Sequence, residues 1–332
     1  MVSTTKTTAT PKHTGVAART LRWGQHHRDL RLLIPVAALW VILTILTPRF
    51  LTTANITNIL VNAAPLALAA AGLTLVIIAG DLDLSVGSAM ALVSAASALL
   101  MTAYRVPWPL GVLIGLAIGV AVGMLNGSLT TFLNIPSFIC TLAMMSTLRG
   151  LALVISDGRA ITGLPRGVTA FATTNVLGFP GVLWIPVIVI PVLGFVLSRT
   201  SFGLNVYAVG GNREAAKIAG VPIRRTRLVV LTISGLMAGF AGLISTARLG
   251  VGSPIIAEDL ILDAIAAVVI GGTSLFGGVG RIGGTVLGVI LIATIRNGLV
   301  LMDVSSFYQR VAIGLVILAA AALDSLGRKS DE

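Results

Sequence analysis

The sequence predicts an all-α membrane protein, a polytopic helical bundle of about ten crossings. Three observations carry that prediction. The 332 residues are 56% hydrophobic and only 11% charged, with a mean hydropathy of +0.99, whereas a soluble domain carries about 25% charged residues. Long apolar segments recur along the chain, each near the roughly 20 residues a spanning helix needs. The polar residues are gathered into a tail and a few loops instead of being spread along helix faces.

Residues 1–31 are rich in Thr and basic residues, with Asp29 as the one acid, and read as a disordered basic cytoplasmic tail. The apolar run from Leu32 to Leu46 has no small-residue cleavage pattern, so it reads as a retained first span and not a cleaved leader. The membrane domain is expected over 32–326, with a cytoplasmic tail over 327–332. Its spans are expected at 32–50, 59–80, 84–103, 109–131, 135–156, 182–198, 227–248, 260–277, 282–300 and 307–326. Gly80–Ser85 interrupts the second and third, and Phe276–Arg281 the eighth and ninth. Such breaks persist at membrane depth only where protein or a water-filled cavity surrounds them.

The net charge of +11 is distributed by topology. With ten spans and the N-terminus inside, fifteen Lys and Arg fall on the inner side and five on the outer, which by the positive-inside rule puts both termini in the cytoplasm. Anionic lipid also favours those cations, and no basic stripe suited to nucleic acid remains. A faint echo links Asn126-Gly127 before Asn134-Ile135-Pro136-Ser137-Phe138, between the fourth and fifth spans, with Asn297-Gly298 before Asp303-Val304-Ser305-Ser306-Phe307, between the ninth and tenth. It fits an inverted repeat of spans two to five in spans seven to ten.

Cys140 is the lone cysteine, which excludes an intramolecular disulfide, and His13, His26 and His27 all lie in the tail. Neither a metal set nor a nucleophile–base pair stands out, so an enzyme is not predicted. Nor does the chain contain Gly-x-x-x-x-Gly-Lys-(Ser/Thr), the backbone cradle for nucleotide phosphates. Energy for transport must come from a partner or an ion gradient.

The polar stretch 199–226 is longer than a simple connection requires. Asn212 can cap a short helix, Glu214 suits its N-terminal end and Gly220 stops it before Pro222. It reads either as a solvated loop that only sets orientation or as a docking element. Asp81, Asp83 and Ser85 at the first break read as bracing of a broken segment, as gating or pathway lining, or as an ion relay. Asp263 divides the same way. Asn126, Asn134 and Asn297 read as interhelical hydrogen-bond glue or as ligands. Arg149, Arg296 and Arg310 read as snorkelling or paired side chains, with Asp303 a candidate partner. Gly115, Gly119 and Gly123, four residues apart, allow close helix packing.

Residues 207–220 match a Tyr-Ala-x-Gly-Gly-Asn-x-Glu-Ala-Ala-x-x-x-Gly pattern, and the chain here resembles the permease subunits of bacterial ABC importers for monosaccharides, the ribose and xylose type. Gly80–Ser88 resembles that family's Gly-x-(Ile/Leu)-Asp-Leu-Ser-Val-Gly-Ser segment, with Asp81 where many members have Gly. Leu262–Leu275 and Gly277–Gly280 resemble its C-terminal signature. The resemblance implies an all-α permease in the inner membrane, two permease subunits forming the pathway as a homo- or heterodimer, and a periplasmic or extracellular sugar-binding protein. It also implies cytoplasmic ATPase subunits that bind the ATP, so no cofactor is expected on this chain. It assigns ATPase coupling to Tyr207, Gly210, Gly211, Asn212, Glu214, Ala215, Ala216 and Gly220. Asp83, Ser85, Asn126, Asp263 and Asn297 are the candidate pathway or gating residues. The alternative is an ion-coupled secondary transporter using Asp81, Asp83 and Asp263.

Overall fold

The computed structural model describes residues 33–315 and residue 318. The tails expected over 1–31 and 327–332, and the end of the tenth expected span, lie outside the described residues. The chain runs through α1 (Leu33–Leu46), α2 (Thr53–Ile78), α3 (Val86–Thr102), α4 (Trp108–Phe132) and α5 (Ser137–Ser156). A short helix α6 (Arg166–Thr173) and a two-residue hairpin, β1 (Asn175–Val176) with β2 (Phe179–Pro180), precede α7 (Trp184–Arg199). Then follow α8 (Ser201–Gly211), α9 (Arg213–Ile218), α10 (Ile223–Leu249), α11 (Leu260–Ile270), α12 (Ile282–Leu301) and α13 at 306–315.

Each of the ten expected spans falls on a helix, but the helices are unequal. Among the described residues six helical segments are long and apolar enough to cross a membrane: α2, α4, α5, α10, α12, and α7 with the turn before it. Three shorter apolar helices, α1, α3 and α11, accompany them. The span expected at 260–277 is corrected to a helix ending at Ile270, because Gly271 and Gly272 cap it and Gly272 takes φ +82. The helix expected from residue 59 starts at Thr53, where the Thr52 hydroxyl accepts from the Asn55 amide at 3.3 Å. The stretch 199–226, expected as a loop around one short helix, holds α8, α9 and the start of α10. Thr200 caps α8 by accepting from Gly203 N at 3.3 Å, a start signal hidden in a Gly-rich run.

The core is built around α2. Its second half, from Leu68 to Ala79, is buried on every side, as expected of a helix apolar all round. Large apolar side chains of α4, α5 and α7, such as Leu113, Ile139 and Val187, are exposed and form the outer ring that suits lipid. α10 packs along α2 and against α4. The α4–α10 crossing is closed by glycine: a Cβ on Gly119 would sit 2.6 Å from the Gly235 carbonyl, and one on Gly235 would sit 2.3 Å from the Gly119 carbonyl. Backbones this close are what the four-residue glycine spacing predicted.

The packing partners exchange between the two halves. α10 packs on α3 and α4, while α2 packs on α11 and α12, and α3–α4 contacts are matched by α11–α12 contacts. The leading helix of each half therefore sits against the second and third helices of the other.

Candidate functional site

At one end of the bundle the three sequence motifs meet. α8 ends between the last turn of α2 and the Gly277–Gly280 turn. Gly210 lies so close that a Cβ would fall 1.7 Å from the Ile78 carbonyl oxygen and 2.7 Å from Gly278 N. Gly277 and Gly278 take φ +87 and +72, and the Gly278 amide donates to the Ile78 carbonyl at 2.8 Å. The Tyr207 hydroxyl donates to the Gly280 carbonyl at 2.8 Å. Burial raises the Tyr207 pKa above the ordinary phenol value, against an opposing pull from Arg281, so the hydroxyl stays a donor through the neutral range.

From this junction α9 projects outward. Asn212 caps it, its side-chain oxygen accepting from the Ala215 amide at 3.0 Å, and Glu214 occupies its first turn. Gly220 ends it at φ +76. Only Ala216 is buried; Gly211, Glu214, Ala215 and Ile218 are exposed, and Ile218 is 88% exposed.

One residue ties α9 to the bundle, Asp81, which the sequence left open as a brace of the broken segment, a gating or pathway residue, or an ion relay. Asp81 is buried, and both its oxygens are taken. Arg227 Nε and NH2 reach Oδ2 and Oδ1, each at 2.7 Å, and Arg213 NH2 reaches Oδ1 at 3.1 Å. Arg213 also donates to the Gly80 carbonyl at 2.9 Å. A bidentate guanidinium is the most directional partner a carboxylate can have. The basic excess after Gly211, opposite an acid at a helix break, was the signal available in the sequence.

Asp83, Ser85 and Asn126 come together just beyond the junction. Ser85 donates to Asp83 Oδ1 through its amide at 3.0 Å and its hydroxyl at 2.6 Å, and Asn126 Nδ2 donates to the Ser85 hydroxyl at 2.8 Å. Ser234 of α10, which sequence reasoning missed, donates to Asp83 Oδ2 at 2.8 Å. These side chains are all buried, so the network joins α3, α4 and α10 across the break.

Asp263 and Asn297 lie elsewhere. Arg296 NH2 contacts Asp263 Oδ2 at 2.5 Å, and Arg310 contacts Asp259 at 2.7 Å, so these arginines pair with acids other than Asp303. Arg149 donates to the Pro254 carbonyl at 2.7 Å. Asn297 and Asn55 exchange amide hydrogen bonds at 3.0 and 2.8 Å, joining α12 to α2. Among the described residues no three His, Cys, Asp or Glu side chains converge as a metal set.

Asn297 and Arg296 also line a cavity of about 610 Å³, with Asn58, Asn62, Arg248 and Glu258 among the other walls. Asn62 is sixteen residues before Ile78 on α2, so at 1.5 Å per residue the cavity lies roughly 24 Å along the helix from the junction. The two sites occupy opposite ends of the bundle.

Residues 55–321 match the family described as branched-chain amino acid transport system / permease component. The ribose import permease protein RbsC of Bacillus subtilis is 47% identical over 286 residues, covering 86% of this chain and 88% of the relative. The L-arabinose transport system permease protein AraH of Escherichia coli is 36% identical over 316 residues, 95% and 96% of the two chains. The D-allose transport system permease protein AlsC of Escherichia coli is 40% identical over 277 residues, 83% and 85% of the two. No solved structure matches the chain. The chain belongs to this family of transport-system permease components, as one of its ABC sugar-import permeases.

Proposed function

We propose that the chain forms the membrane pathway of an ATP-driven importer for a monosaccharide, of the pentose or hexose kind named for its relatives. The observation that carries this is the junction, where motifs around residues 80, 210 and 278 meet and present α9 outward. An exposed capped helix backed by interlocked backbone can transmit a push; a slack loop cannot. The coupling residues are Tyr207, Gly210, Gly211, Asn212, Glu214, Ala215, Ala216 and Gly220, with Tyr207 and Gly210 facing the bundle and the rest forming or exposing α9. Cytoplasmic ATPase subunits dock there and bind the ATP, so this chain needs no cofactor. A second permease subunit completes the pathway, and an extracytoplasmic binding protein delivers the sugar to the opposite end.

The six long apolar helices, the shorter α1, α3 and α11 and the described part of α13, with the inner-side excess of Lys and Arg, support ten crossings in the cell membrane with both termini cytoplasmic. The exchanged packing of α2 and α10 supports the inverted repeat. Asp83, Ser85 and Asn126 act as a brace at the break, and Asn297 and Asp263 with Arg296 belong to the solute end. An ion-coupled mechanism has no support: Asp81 and Asp263 are held by guanidiniums and Asp83 by two hydroxyls.

The test is reconstitution into vesicles together with an ABC ATPase subunit and a sugar-binding protein. Sugar uptake that requires ATP and all the components is expected. Uphill uptake by this chain alone, driven by a proton or sodium gradient, would overturn the proposal.

A further inference from the structure

We infer that the β1–β2 hairpin is a lipid anchor, whose apolar tip inserts at the headgroup–acyl boundary and holds the connection between α5 and α7 at the membrane surface. The inference is independent of which solute is carried.

The hairpin lies at the end of the bundle away from the junction. α7 runs from Trp184 to Arg199 and α8 begins at Ser201, so the start of α7 stands one helix length, roughly 24 Å, from the junction side. Val176 pairs with Phe179 across the hairpin, which leaves a two-residue turn of Leu177 and Gly178 at φ +53 and +86. Positive φ at both positions makes a type I′ turn, whose first position favours Asn, Asp or Gly. A leucine there is strained by its Cβ. It is also 83% exposed, so neither the turn geometry nor the protein interior accounts for it. Val176 and Phe179 stand opposite each other on one face, and both are exposed as well.

A lipid environment accounts for these three side chains together. The Trp184 indole donates to the Val176 carbonyl at 3.1 Å, fixing the hairpin to the first turn of α7. Trp184 begins a stripe that continues through Val187, Ile188, Val192 and Phe195 at steps of three and four residues, and those four are exposed. The hairpin is therefore continuous with a face of α7 that lipid covers. No charged residue occurs between Arg166 and Arg199, whereas a docking face for a water-soluble protein carries a polar rim. Trp108 opens α4 at the same end, where a Cβ on Gly167 of α6 would sit 2.5 Å from its Nε1. Tyr104, in the short connection before α4, is exposed. Tyr and Trp gathered at one end of a bundle mark the headgroup level, and apolar side chains of an interfacial segment reach about 5–10 Å below it.

Fluorescence on the purified full chain in phosphatidylcholine nanodiscs, with both faces open to solution, tests the placement. Cys140 is buried, and the parent chain carried through the labelling gives the background. A small polarity-sensitive probe is attached at Leu177→Cys or Phe179→Cys. Val187→Cys is the lipid standard, and Thr162→Cys, exposed in the same connection, is the water standard. Emission at 177 and 179 should lie to the blue of that at 162, with severalfold stronger quenching by lipid nitroxides than by iodide, as at 187. Leu177→Asn, which suits the turn better, should move the Phe179→Cys probe towards iodide while the thermal stability of the chain is kept. Iodide quenching at 177 and 179 equal to that at 162, or a Phe179→Cys probe unmoved by Leu177→Asn, would overturn the inference. A probe that sits in water and is shielded only when a sugar-binding protein is added would also overturn it, and would make the hairpin a protein-docking surface.

Discussion

Gly210→Ala tests the junction most sharply. The added methyl would stand 1.7 Å from the Ile78 carbonyl oxygen, and all three nearest atoms are backbone, so no side chain can swing aside. Restoring ordinary contact at about 3.4 Å requires a relative shift of roughly 1.5 to 2 Å, more than the helical rise of one residue. If α8 withdraws, Tyr207 loses the Gly280 carbonyl. If the Ile78 carbonyl yields, the Gly278 amide loses its acceptor. Either loss costs about 0.5–1.5 kcal/mol, and overpacking adds about 1–3 kcal/mol. The control is Gly211→Ala, where a Cβ meets nothing within 4 Å and helix propensity favours Ala by up to about 1 kcal/mol. Thermal unfolding of the purified chain and sugar-stimulated ATP hydrolysis by the complex should both fall for Gly210→Ala. Gly211→Ala should keep its thermal stability. Equal stability and equal stimulation in the two variants would refute the close-contact argument.

Two further outcomes follow from the polar networks. Asp81→Asn removes the charge that holds Arg213 and Arg227, which should cost about 1–3 kcal/mol and reduce sugar transported per ATP hydrolysed; an unchanged ratio with unchanged thermal stability would show that the clamp is idle. Ser234→Ala withdraws a buried donor from Asp83 and should lower stability by about 1–3 kcal/mol while the transport KM stays constant. A changed KM without a change in unfolding temperature would instead make the Asp83 network part of the solute path.

The order of helices was legible because a lipid-facing chain must write its spans as apolar runs, and the breaks were legible because Gly and Asp interrupt them. The Asn212 cap and the Gly220 stop were local signals, and α9 forms where they placed it. α8 was not legible, since its eleven residues include Gly203, Gly210 and Gly211 and its stability comes from the surfaces it packs between. The partners of the charged groups were hidden for the same reason. Asp81 and Arg227 are 146 positions apart, and Asn55 and Asn297 are 242 apart, distances at which helical spacing carries no information. The cavity was half visible: Asn58 and Asn62, four residues apart, line it from one face of α2, and Asn55 one step earlier bonds its wall residue Asn297.

The Asp81 clamp has a consequence for how such importers could diversify. Arg213 opens α9 and Arg227 lies in the first turns of α10, and one carboxylate receives both. The intervening segment is therefore a closed cassette whose two ends are fixed to the same point of the bundle, while its outer face is free to vary. If α9 is the docking element proposed above, exchanging residues 214–226 between permeases is expected to change which ATPase stimulates transport while thermal stability, which reports the anchoring geometry, is kept.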